Sequence, residues 1–269
     1  MCEFCTTHGD GKIWYRNAAN YANDLLSDIK RRKYIQEFHH ATMEEGFKTL
    51  GRLENLFMKR GRLPASVIGA LEQKAKEEHF GQVLPIEEIR EILLKAASIV
   101  RLPCACRWTI SRKEDRCCFA LSYGPDAWYK GFDMGYFGKT SDEGLEAVTV
   151  GDAIAQIEAL EEAGAVHSIW TMMTPFIGAV CNCTATDCIG LRTLSGIGAH
   201  TIARAEHVAV VDKELCAGCG LCAGRCQFDA IGSAARDGID IAVVDSDKCY
   251  GCGLCRKACD QGAISLAVR

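Results

Sequence analysis

Cys216-Ala217-Gly218-Cys219-Gly220-Leu221-Cys222 returns 33 positions later as Cys249-Tyr250-Gly251-Cys252-Gly253-Leu254-Cys255. The frame around each copy repeats as well. Val210-Val211-Asp212 precedes the first copy and Val243-Val244-Asp245 the second, while Cys226 and Ala230-Ile231 follow one and Cys259 and Ala263-Ile264 the other. Each half therefore reads C-x2-C-x2-C-x3-C, and an internal repeat has to be read before any local feature. Soft thiolates at this density select a sulfur-preferring metal centre over hard cations. Glycines at 218, 220, 251 and 253 suit a backbone that wraps closely and turns its N–H groups toward sulfur.

This doubled spacing resembles that of the bacterial two-cluster ferredoxins, over roughly the last quarter of the chain. The resemblance implies two cubane 4Fe-4S clusters with crosswise ligands. Cys216, Cys219, Cys222 and Cys259 hold one, and Cys249, Cys252, Cys255 and Cys226 hold the other. The family usually has proline after the fourth cysteine, where this chain has Gln227 and Asp260. Losing proline frees φ in that turn and removes no ligand. Paired zinc sites are the competing reading, but zinc knuckles rarely set three cysteines at successive three-residue steps and then repeat the array.

The ferredoxin unit is too small to account for 269 residues, so two domains are expected. The fold class expected is α+β, with a mainly helical, cysteine-rich N-terminal domain before the small ferredoxin-like one. Residues 1–102 read as helical scaffold, 103–203 as a cysteine-rich α/β region forming one domain with it, and 204–269 as the two-cluster domain. Seventeen cysteines with no N-terminal apolar segment point to a reducing cytoplasm, where thiols bind metals rather than form disulfides. No apolar run approaches the ~18 residues of a membrane span. A net charge of -4 with scattered basic residues argues against nucleic acid.

The chain opens with Cys2 and Cys5, which either reach back to a cluster built elsewhere or are two free thiols. Apolar residues at Tyr21, Leu25, Ile29 and Phe38 carry a helical period from Asn17 to about His40, and Met43 to Met58 continues it toward Gly61. Lys30-Arg31-Arg32-Lys33 is a docking patch for an acidic partner or, more commonly, a solvated helix face. Pro64 and Pro85 open two further helices, to about His79 and through Ala97.

The chemistry begins again at Pro103. Cys104 and Cys106, Cys117 and Cys118, then Cys181, Cys183 and Cys188 form three clumps. A single buried cysteine is ordinary core, whereas clumped thiolates repel one another unless a metal neutralises them. Between the clumps, Phe119 to Tyr123 reads as a strand, and an aromatic, glycine-rich loop spans Gly124 to Gly138. That loop either shields a cluster or simply builds core. Thr149 starts a helix that Gly164 caps, and Val166 to Met173 is a strand with His167 as a candidate ligand or structural histidine. C-x-C-R, the Leu-Ser-Tyr-Gly strand, Glu-Glu-Ala-Gly-x-Val-His and C-N-C together resemble anaerobe 4Fe-4S binding proteins that place a cysteine-rich domain before a two-cluster ferredoxin. Those proteins often have a denser cysteine run after C-N-C, whereas Thr184-Ala185-Thr186-Asp187 stands here before Cys188.

No dinucleotide, P-loop or nucleophile-elbow motif is present, since Gly196-Ile197-Gly198 lacks the third glycine. The expected function is single-electron transfer to or from a partner oxidoreductase in anaerobic metabolism. Two 4Fe-4S clusters lie in the ferredoxin domain, a third before residue 200, and a fourth if Cys2, Cys5, a histidine or a non-protein ligand completes it. The alternative is an oxidoreductase whose N-terminal cluster is catalytic and is fed by the ferredoxin domain. A cluster-based transcriptional sensor is weaker, because no helix carries a dense basic face.

Overall fold

The computed structural model describes residues 13–236 and 238–269. Cys2 and Cys5 fall outside the described residues. The described residues open with 3-10 turns between Trp14 and Ser27 in place of the first half of the expected helix. Asn17 and Asp28 break the periodicity, because their side chains accept the N–H groups of Ala19 and Lys30 and so compete with helical bonding. Then come α1 (Ile29–Glu37), a π-helical stretch (Phe38–Glu44), α2 (Glu45–Arg60) and α3 (Ala65–Glu78). Gly61 closes α2 at φ +70°, the left-handed position that follows many helices. Within the basic run, Arg31 is buried, and its guanidinium donates to Met173 O at 3.1 Å, so that residue is neither solvated nor free to dock a partner.

The stretch read as purely helical also contains strands β1 (Gly81–Val83) and β2 (Ser98–Leu102), separated by α4 (Ile86–Leu93). Next are α5 (Ala105–Ser111), β3 (Cys118–Ser122), α6 (Ser141–Gly144), β4 (Glu146–Val148) and α7 (Val150–Glu162). Strands β5 (Val166–Thr171) and β6 (Ile177–Cys183), helix α8 (Ile189–Ile197) and β7 (Ile202–Ala203) complete a seven-stranded sheet, ordered β4-β2-β3-β6-β5-β1-β7. Its pairings are antiparallel except β1 with β7.

Alternation along the strands sorts the side chains onto two faces. Ile99, Phe119, Leu121, Ile169 and Val180 meet Ile89 and Leu93 of α4 and Ile157 of α7. On the other face, Val100, Leu102, Ala120, Val166, Trp170 and Ala179 meet α1, the π-helical stretch, α8 and the aromatic loop. The cysteines of β3 and β6 lie on this second face.

The C-terminal unit holds β8 (His207–Val211), α9 (Leu221–Arg225), β9 (Ile231–Arg236), β10 (Ile239–Val244), α10 (Leu254–Lys257) and β11 (Ile264–Val268). Strand β8 pairs with β11 and β9 with β10, both antiparallel. Tyr250, Cys252 and Leu254 of this unit join the apolar cluster on the cysteine face of the large sheet. Tyr250 stacks on Phe228 at 4.5 Å and its hydroxyl lies 3.3 Å from His200 Nδ1. No helix among the described residues is long and apolar enough to cross a membrane.

Candidate metal centres

In the C-terminal unit the repeat becomes a pseudo-twofold arrangement of hydrogen bonds. Ala242 N–H donates to Cys216 Sγ at 3.5 Å, and its counterpart Ala209 N–H donates to Cys249 Sγ at 3.5 Å. The strand of each half thus supports the first cysteine of the other. Ala230 and Ala263 likewise donate to Cys226 and Cys259, at 3.4 and 3.3 Å. The glycines are needed for space as well as for conformation. A Cβ on Gly218 would stand 2.6 Å from Asp240 O, and one on Gly251 would stand 2.2 Å from His207 O, both at positive φ.

Cys216, Cys219, Cys222 and Cys259 line one cavity of about 360 Å³. Cys226 lies on the other side, where it bears electrostatically on Cys252 and Cys255. Burial pushes those two thiols up to about 12, and burial also raises Cys222. A metal entering these sites must therefore displace protons as it neutralises the thiolates. Backbone donors aimed at sulfur, four cysteines around one cavity and glycines packed against carbonyls fit a cluster in each half. Residues 215–263 match the family described as the 4Fe-4S dicluster domain. This C-terminal unit is ferredoxin-like. No curated protein matches the chain. The dicluster domain supports 4Fe-4S binding and, with it, iron–sulfur electron transfer.

The two halves of the dicluster domain differ in their surroundings. Cys219 is exposed, whereas Cys249, Cys252 and Cys255 are buried against the rest of the chain. Four basic or amide side chains fasten this inner side. Arg256 pairs with Glu87 at 2.6 Å and Lys257 with Glu162 at 2.5 Å. Arg225 donates to the carbonyls of Glu161 and Glu162 at the C-terminus of α7, where the helix dipole favours a cation. Gln227 donates to Gly164 O and accepts from Ala185 N–H. Sequence reasoning registered Gln227 only as a missing proline. Its role depends on two partners 63 and 42 residues away, which no local pattern announces.

Beside this inner side, the three N-terminal cysteine clumps meet. Cys104 stands just before α5 and Cys106 lies in its first turn, Cys117 and Cys118 lead into β3, Cys181 and Cys183 end β6, and Cys188 stands just before α8. Pairing of β3 with β6 sets Cys118 directly across from Cys181. The Sγ atoms of Cys104, Cys117 and Cys118 lie within 4.8 Å of one another. Thiol–thiol interactions link Cys104 to Cys106, Cys117, Cys118 and Cys183, Cys188 to Cys106 and Cys183, and Cys118 to Cys181. All seven thiols therefore form one network.

Their protonation is unequal. Hydrogen bonds from Cys106, Cys117, Cys118 and Cys183 hold Cys104 well below the ordinary thiol range. Cys188 is lowered by Cys106 and Cys183, and by the N–H groups of Leu191 and Gly190 at the start of α8. Cys106, Cys117, Cys118 and Cys183 are pushed up, first by sharing protons with Cys104 and then by burial. Seven clustered thiols, four of them buried and three half-buried, cannot all ionise without imported positive charge, and an all-sulfur donor set suits iron–sulfur or zinc rather than a hard cation.

Arg107 supplies one fixed charge. Burial opposes its cation, but Cys117, Cys183 and Asp115 outweigh that cost and hold it above its ordinary value. Its Nε lies 3.2 Å from Asp187, in the segment that precedes Cys188. The aromatic loop builds core, since Trp128, Phe132, Tyr136 and Phe137 are buried in the apolar cluster that also holds Cys183 and Cys188. His167 is not brought to the thiols. It pairs with Asn182 on the opposite face of β5 and β6, with Nδ1 2.6 Å from Asn182 Oδ1.

Proposed function

We propose that this protein is a multi-cluster electron carrier that passes single electrons to or from a partner oxidoreductase in anaerobic metabolism. In this reading Cys216, Cys219, Cys222 and Cys259 hold the outer 4Fe-4S cluster, and Cys249, Cys252, Cys255 and Cys226 hold the inner one. Cys104, Cys106, Cys117, Cys118, Cys181, Cys183 and Cys188 hold at least one more. The observation that carries the proposal is the convergence of those seven thiols, none of them exposed, with Cys183 and Cys188 in the same apolar cluster as Cys252. Spacing alone would let seven scattered cysteines be core; convergence beside the inner side of the dicluster domain favours an extended wire. The protein's contribution is to set potentials through charge, hydrogen bonds to sulfur and exclusion of water.

Iron analysis of anaerobically prepared full-length protein tests the proposal. Two cubanes account for about 8 irons, and each further one adds about 4. An iron content of about 8, with no zinc at the seven thiols, would end the wire at the dicluster domain.

A catalytic N-terminal site is the second reading, and one observation favours it. A cavity of about 190 Å³ between α2, α3 and α8 shares Met43, His79, Trp170 and Ile189 with a second cavity, which the N-terminal thiols line. Thr201 also lines it, with a buried hydroxyl that has no hydrogen-bond partner among the described residues. Sustained turnover of a small molecule by the isolated protein would select this reading, and electron delivery only to a protein acceptor would select the carrier.

A further inference from the structure

Two histidines line the same cavity as the N-terminal thiols, His39 from the π-helical stretch and His79 from the end of α3. Each makes its hydrogen bond through Nδ1. His79 Nδ1 lies 2.7 Å from Thr171 O, and His39 Nδ1 lies 3.0 Å from Asp133 O. A carbonyl oxygen can only accept, so Nδ1 carries the proton and Nε2 keeps its lone pair. An imidazole fixed in this way by a backbone carbonyl is the form in which histidine ligates metals. Stacking holds the rings still, His79 on Trp170 at 4.6 Å and His39 on Tyr136 at 5.4 Å.

The two rings differ in their charged neighbours. His79 stacks on Trp170, whose ring a Cβ on Gly190, two residues past Cys188, would meet at 2.5 Å, and Cys188 bears on His79 electrostatically, whereas Asp133 and His40 bear on His39. The count of thiols also leaves a place. Two cubanes need about eight ligands, and the network contains one fewer cysteine than that.

We propose that His79 Nε2 is an iron ligand beside Cys188, so that the N-terminal site offers seven thiolates and one imidazole to two clusters. The inference rests on the reading that this site binds iron–sulfur clusters. His39 is then a positioning residue that packs the aromatic wall and touches no iron.

The test uses the full chain, reconstituted with iron and sulfide and reduced anaerobically. Pulsed electron paramagnetic resonance compares natural-abundance protein with protein labelled only in histidine with nitrogen-15. A directly bound imidazole nitrogen should appear as a strong coupling that changes with the label. It should vanish in His79→Ala and His79→Cys and persist in His39→Gln. Iron should stand at about 16 per chain in the native protein and in His79→Cys, and fall by about 4 in His79→Ala. More than about 8 irons per chain without a histidine-dependent coupling would overturn the ligand assignment and leave the wire intact. About 8 irons would overturn both. Where His79→Ala fails to fold, loss of the coupling in His79→Cys decides the matter, and the labelled native protein shows by itself whether any histidine binds iron.

Discussion

Gln227 bridges to Ala185, its Oε1 accepting the Ala185 backbone N–H at 2.5 Å while its Nε2 donates to Gly164 O. One side chain thus ties the turn after Cys226 to the two segments flanking β5 and β6. Gln227→Ala should cost about 1–3 kcal/mol of stability, the usual loss for two part-buried bonds. Iron in the dicluster domain should not change, because no ligand is touched. Thermal melts and amide exchange at Ala185 read the effect, and unchanged protection there would show that the bridge does not hold the interface.

Cys226 bears on Cys252 and Cys255 rather than on the cavity of its own half. Cys226→Ala should accordingly damage the inner cluster and spare the outer one. Spectroscopy of the reduced variant distinguishes the two, and selective loss of the signal supported by Cys216, Cys219 and Cys222 would refute the crosswise arrangement.

Two glycines with similar backbone angles should respond differently to a methyl group. Gly220, at φ +73°, has open space around its missing Cβ, so Gly220→Ala should cost only about 1–2 kcal/mol of backbone strain. Gly251→Ala adds a clash with His207 O and should abolish assembly of the inner site. Equal iron content and equal melting temperatures in the two variants would contradict this.

Arg107 places a positive charge beside Cys117 and Cys183. Adding an electron to a neighbouring cluster is easier with that charge present. Arg107→Gln should therefore lower the potential of an N-terminal cluster, by on the order of tens of millivolts at effective protein dielectric. Redox titration of the full chain checks the sign, and an unchanged or raised potential would show that Arg107 does not set the field at a cluster.

Burial lowers His167 to about 4, although its bond to Asn182 works the other way. Between the ordinary histidine value of about 6.5 and that value, the unfolded chain takes up a proton that the folded chain refuses. Stability should fall as pH drops through this window, by up to about 3 kcal/mol from this residue, and be insensitive to it above. Denaturant unfolding at several pH values should show a shallower acid slope for His167→Gln, and an identical slope would remove His167 as its source.

The doubled cysteine frame was legible from residue spacing because a cluster-binding loop is a local object. Its glycines were equally plain, and the structure adds only the carbonyls they approach. The meeting of Cys118 with Cys181 was not legible, since it depends on the pairing of strands 63 residues apart. Strand β1 escaped notice because three residues, Gly81-Gln82-Val83, carry no readable alternation. His79 was hidden for another reason. It sits just past the end of a helix, and only the fold turns that position toward the thiols.

Cys219 and Cys252 occupy the same place in the repeat, yet the first is exposed and the second is 9% exposed. Dioxygen and peroxide arriving from solvent meet the Cys219 half first. Oxidation of thiolates and loss of iron should begin there and advance inward, leaving the sulfur-rich interior for last. A chain caught part-way through exposure to air would thus have lost its outer contact while keeping its inner stores.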